Sequence, residues 1–157
     1  MAKVYLALYK GRKSGRTPKA LAMRFADWVV RKATRGIYSH CEIAVALGDG
    51  VFECYSSSLR DGGVRSKTMP LPADKWDLVP ISDDLLPWVE SCYQHTKGQK
   101  YDLAGALGVV LPVQHRLDKW FCSEWCAAAL GVQYPDRYSP QELADWLRQP
   151  EKARQKS

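Results

Sequence analysis

Residues 3–9 alternate, with Val4, Leu6 and Leu8 facing one way and Tyr5, Ala7 and Tyr9 the other. That two-residue period predicts a half-buried strand. After a loop rich in glycine and lysine, Thr17-Pro18 has the form of an N-cap followed by proline in the first helical turn. Leu21, Phe25, Trp28 and Val29 then recur at helical spacing, which predicts a helix to about residue 31 with Gly36 breaking the pattern. Residues 39–47 return to alternation. Cys41, Ile43, Val45 and Leu47 form a core face, and His40, Glu42, Ala44 and Ala46 form the other. Gly48-Asp49-Gly50 is a turn, and residues 51–55 are its hairpin partner, with Phe52 and Cys54 on one face and Val51, Glu53 and Tyr55 on the other.

Further strands are expected at 64–69, between Gly62-Gly63 and Pro70, and at 76–80, where Pro80 marks an edge. Ser82 or Asp83 caps a predicted helix through 96, with Leu86, Val89 and Tyr93 inward and Gly98 as its stop. A short apolar helix is expected at 103–110, and a loop containing His115 at 112–119. An alanine-rich buried helix follows, from Trp120 to its stop at Gly131, and Cys122 lies in its first turn. Ser139-Pro140-Gln141-Glu142 is a capping box that opens an amphipathic helix through 147. Strands mostly early and helices mostly late predict an α+β fold, an antiparallel sheet packed against helices. Residues 1–150 are expected to form a single domain, and 151–157 a polar tail.

Composition narrows the chemistry only modestly. The chain of 157 residues carries 23 basic and 17 acidic side chains, a net charge of +6, with Lys10, Arg12, Lys13, Arg16 and Lys19 supplying much of the excess. The basic loop from Lys10 to Lys19 suits an anionic surface, such as a cell-wall strand, and equally a solvated face. No nucleic-acid-binding motif accompanies it. No segment has the length of a transmembrane span, and the first residues lack the pattern of a signal peptide. The expected setting is cytoplasmic, or reached without a signal peptide, as with a phage particle or a secretion apparatus. Five cysteines form no C-x-x-C pair, which favours reduced thiols over a disulfide framework. Cys122 and Cys126 with distant His115 match no usual metal spacing, so neither a metal nor a cofactor is expected.

A helix N-terminus favours negative charge, so the position of Cys122 promotes its thiolate. A cysteine nucleophile also needs a base and a group to orient that base. His95 stands near a helix end among polar residues, as surface histidines do. His115 is close to Cys122 in sequence, and His40 opens a strand on the face away from the core with carboxylates nearby.

Ser39-His40-Cys41-Glu42-Ile43-Ala44-Val45, Val51-Phe52-Glu53-Cys54, Gly98-x-x-Tyr101-Asp102 and Phe121-Cys122-Ser123-Glu124 together resemble the circularly permuted papain-like thiol hydrolases of the NlpC superfamily. In those permuted members the histidine strand precedes the cysteine helix. The resemblance covers residues 37–130 and implies a permuted papain-like fold, with Cys122 as nucleophile and His40 as base. It places the third catalytic group on the strand after the histidine, here Glu53, and a pocket-lining tyrosine at Tyr101, which equally suits an aromatic packed under the helix. Glu42 is the rival orienter. Glu53 is preferred because a directly opposed cross-strand residue starts about 5 Å away, against about 7 Å for a same-strand neighbour two residues on.

The implied activity is a cysteine peptidase or amidase acting on a peptide, cell-wall or lipid-amide substrate. Lipid acyl transfer of the lecithin:retinol acyltransferase-like kind is an alternative within the resembled families. A non-catalytic interaction module is another, and it would hold His40 and Cys122 apart.

Overall fold

The computed structural model describes residues 2–12, 16–18, 20, 21, 23, 24, 27, 31, 35–103 and 119–150. Among these, seven strands form one sheet in the order β5-β1-β2-β3-β4-β6-β7. They are β1 (Val4–Tyr9), β2 (His40–Gly48), β3 (Val51–Ser58), β4 (Gly63–Pro70), β5 (Trp76–Ile81), β6 (Lys100–Tyr101) and β7 (Lys119–Trp120). Neighbours pair antiparallel except the two-residue β6 and β7, which are parallel. The described α-helices are α1 (Leu86–Thr96), α2 (Cys122–Ala129) and α3 (Pro140–Arg148). The architecture is α+β, with β5 and its Pro80 at a sheet edge.

Each face of the sheet has its own apolar cluster. Val4, Leu6 and Leu8 of β1 stand opposite Val45, Ile43 and Cys41 of β2, so the alternation of both strands aims these residues to one side. That side is covered by Val89 of α1, Trp125 and Cys126 of α2, and Leu143 and Ala144 of α3, which together form the main core. Leu47, expected on this face, is exposed. The opposite side holds a smaller cluster of Ala7, Ala44, Phe52, Cys54 and Leu71, flanked by Tyr5, Met69 and Trp76.

Two of the expected helix stops and the cap of α3 have their physical causes in place. Gly98 and Gly131 take left-handed φ values of 81° and 70° just after α1 and α2. The capping box of α3 is complete: the Glu142 N–H donates to Ser139 Oγ at 3.2 Å, and the Ser139 N–H to Glu142 Oε2 at 2.9 Å. Ser82 makes no side-chain cap; a 3-10 turn, Asp83–Leu85, leads into α1 instead. Near the first predicted helix, Pro18, Ala20, Leu21, Met23, Arg24, Asp27 and Arg31 are helical, with Thr17 Oγ1 accepting from the Ala20 N–H at 3.2 Å. Leu21, read as an inward residue, is 49% exposed. The helix expected at 103–110, His115 and the tail lie outside the described residues, Leu103 apart. Among the described residues no helix is long and apolar enough to cross a membrane.

Candidate active site

The cysteine helix is anchored at both ends of its first turn. At its entry, Ser57 Oγ on β3 donates to the Trp120 carbonyl at 2.6 Å, and the Phe121 N–H donates to Glu124 Oε2 at 3.3 Å. Within the helix, Trp125 Nε1 donates to Thr96 Oγ1 at the end of α1 at 2.8 Å. One turn below Cys122, Cys126 Sγ donates to the Cys41 carbonyl at 3.7 Å, which sets α2 over the start of β2. Ser56 Oγ donates to that same carbonyl at 2.7 Å. Cys122 thus opens a buried helix directly above the first two residues of β2, and it is 5% exposed.

His40 lies on the other side of this junction. Its side chain is 19% exposed, and Nε2 is 2.9 Å from Glu42 Oε1. The Trp76 ring meets the imidazole edge-on at 6.4 Å, and Tyr9 packs against Trp76 at 5.1 Å, so an aromatic wall backs the histidine. With Nε2 engaged by Glu42, Nδ1 is the nitrogen left for the thiol. Burial works to lower the His40 pKa. The charge and hydrogen bond of Cys122, and those of Glu42, outweigh it and push the value up to about 10.

The Cys122 thiol moves the other way, well below the ordinary thiol range. A hydrogen bond from Cys41 contributes most, burial opposes it, and the charge and hydrogen bond of His40 add to the lowering. The pair therefore favours thiolate and imidazolium over thiol and imidazole, the state in which a cysteine is nucleophilic. Cys41 is driven the opposite way, by burial first and then by hydrogen bonds and charge from Cys122 and Cys126. Burial likewise raises Cys54 and Cys92. Among Cys41, Cys54, Cys92 and Cys122, it is Cys122 whose surroundings promote ionisation.

Glu42 completes the line. It is 2% exposed on its side chain, and Arg65 of β4 grips it at both oxygens, Nη1 to Oε2 at 2.9 Å and Nη2 to Oε1 at 2.8 Å. Burial would raise the Glu42 pKa, but hydrogen bonds from His40 and Arg65 hold it below the usual carboxylate value. Tyr101 of β6 also lies in the site's field. Its hydroxyl is raised well above the ordinary value by burial first, then by the charges of Cys122 and Cys41.

Glu53, expected as the histidine's partner, is on the wrong face. It stands opposite Val45, while Cys54 stands opposite Ala44, so Glu53 shares the helix side with Val45 and Tyr55. There it influences Tyr55, which packs against Tyr93 of α1. The reversal comes from a register shift between Ala46 and Gly48, where Leu47 bulges out of the β2–β3 ladder. Extending the Gly48–Val51 pairing without that bulge would have set Glu53 opposite Ala46, on the histidine's side. One extra residue flips every following side chain to the other face. The carboxylate that reaches His40 is the same-strand Glu42.

Arg65 had no place in the expectations. Its sequence signal is weak, a basic residue in a polar strand, and its role depends on the three-strand register. No family model matches this chain, and no curated protein matches it significantly.

Proposed function

We propose that this protein is a cysteine-dependent hydrolase that cleaves an amide bond, built on a permuted papain-like scaffold of the NlpC kind. One observation carries the reading: Cys122, at the start of a buried helix, interacts with His40, whose far nitrogen is held by the ionised Glu42. The nucleophile, base and orienting carboxylate of a thiol hydrolase are thereby supplied in line. The Cys122 thiolate attacks the substrate carbonyl, the tetrahedral oxyanion is met by the Cys122 backbone N–H, and His40 delivers its proton to the leaving amine. The resulting thioester is hydrolysed by a water whose proton His40 accepts, returning the ion pair. Tyr101 lines the approach to the thiol.

The net charge of +6 favours an anionic substrate such as a cell-wall peptide. Part of the basic loop is already committed, because Lys10 pairs with Asp77 at 2.6 Å. The interaction of His40 with Cys122 speaks against a non-catalytic module. The test is alkylation by iodoacetamide across pH, followed by assay on wall peptides and on lipid amides. Selective labelling of Cys122 at pH 6, abolished in His40→Ala, with amide cleavage lost in Cys122→Ala, is the expected result. Equal, slow labelling of all the cysteines would sink the reading.

A further inference from the structure

The register that removes Glu53 from the site brings Arg65 into it. Ile43 stands opposite Tyr55 on β3, and Ser56 stands opposite Arg65 on β4, so Glu42, Ser56 and Arg65 form one row across three strands. Ser56 is small, and its hydroxyl is spent on the Cys41 carbonyl, so the guanidinium passes over it to Glu42. We propose that Arg65 is a positioning residue of this site: its fork fixes the plane of the Glu42 carboxylate, and its charge lets the His40–Cys122 ion pair persist in a buried setting. The inference rests on the thiol-hydrolase reading and adds to it the group that holds the orienter.

The geometry is specific to a fork. Two parallel contacts of 2.9 and 2.8 Å set the carboxylate's orientation, where a single ammonium contact would leave it free to pivot. Glu42 Oε1 is shared, accepting from Arg65 Nη2 and lying 2.9 Å from His40 Nε2, so any pivot of the carboxylate moves the imidazole. Arg65 is itself fixed, with Nε donating to Asp61 Oδ2 at 2.8 Å. A ladder of contacts therefore runs Asp61–Arg65–Glu42–His40–Cys122.

Among the described residues, other titratable and charged groups also face this ladder. Cys54 faces Glu42 from β3, Cys41 and Tyr101 face Cys122, and Lys67 reaches Asp61 at 4.0 Å. Without the guanidinium, the anions Glu42 and Cys122 of this ladder share His40 as their buried cation. A proton then returns to the site at a higher pH, whether it settles on the carboxylate or on the thiolate.

The experiment is the pH dependence of iodoacetamide labelling at Cys122 in wild type, Arg65→Met, Arg65→Gln and Arg65→Lys. The midpoint is expected to rise by about one pH unit in Arg65→Met, and to return most of the way in Arg65→Lys, which restores the charge but not the fork. Protection of the other four cysteines reports folding. Arg65→Gln, which keeps a hydrogen bond to Glu42, carries the test if Arg65→Met does not fold. A folded Arg65→Met or Arg65→Gln protein with the wild-type midpoint overturns the inference alone. Wild-type Cys122 labelling no faster than the other thiols at pH 6 overturns the hydrolase reading, and this inference with it.

Discussion

At the scale of single residues, the site turns on which carboxylate meets the imidazole. Glu42 is buried, gripped by Arg65 and within hydrogen-bond distance of His40, whereas Glu53 points to the helix side of the sheet. Glu42→Gln keeps the shape and removes the charge that stabilises the imidazolium. It is expected to slow Cys122 alkylation at pH 6 by about tenfold or more, while Glu53→Gln stays within about twofold of wild type. Equal rates in the two variants would take Glu42 out of the site. The choice was hard to read from residues because strand alternation fixes which side chains share a face within one strand. It leaves open how that strand registers against the next. The bulge at Leu47 decides the matter, and Gly48-Asp49-Gly50, each with positive φ, marks a turn without announcing the extra residue. The placement of Cys122 at a helix start and of His40 at the first residue of a strand was legible because each depends on local features. Arg65 depends on three strands at once.

Among the elements, the short connection from α1 through β6 is closely held. It brings Tyr101 beside the thiol by crossing the start of β4 at Gly63, which pairs with Lys100. The Gly98 N–H donates to the Val64 carbonyl at 3.0 Å and the Val64 N–H to the Gln99 carbonyl at 2.9 Å, clamping the crossing from both sides. A Cβ at Gly63 would stand 2.0 Å from the Gln99 carbonyl oxygen, with φ at 156°. Backbone, unlike a flexible side chain, cannot step aside there. Gly63→Ala is therefore expected to lower the unfolding free energy by at least about 2 kcal/mol in urea denaturation, with β6 displaced from β4. A loss under about 0.5 kcal/mol would mean that the crossing is looser than the contacts require. The Gly62-Gly63 pair is plain in the sequence as a turn. That one of the two is also a crossing point depends on a segment more than thirty residues later, which no local pattern encodes.

Across the whole molecule, the cysteine helix α2 is stabilised by burial at a cost that depends on pH. Glu124 lies in the first turn of α2, is 2% exposed, and takes the Phe121 N–H. Burial raises its pKa most, and the charges of Asp102 and Asp136 add to the rise against that hydrogen bond, leaving it at about 8. The group holds its proton more tightly folded than unfolded, where the ordinary value is 4.5. Below pH 4.5 both states are protonated and the neutral, buried carboxyl is fully tolerated. As pH rises from there through about 8, the unfolded chain releases the proton first, so the folded state steadily loses stability relative to it. Glu124→Gln has no proton to lose and still offers an oxygen to the Phe121 N–H. The variant's unfolding free energy relative to wild type is expected to rise by about 2–4 kcal/mol between pH 5 and pH 9, read from urea denaturation at both values. His40 and Cys122 titrate alike in the two proteins and cancel from that difference. A difference that does not change with pH would show that Glu124 is ionised in the fold throughout, held by partners strong enough to offset its burial.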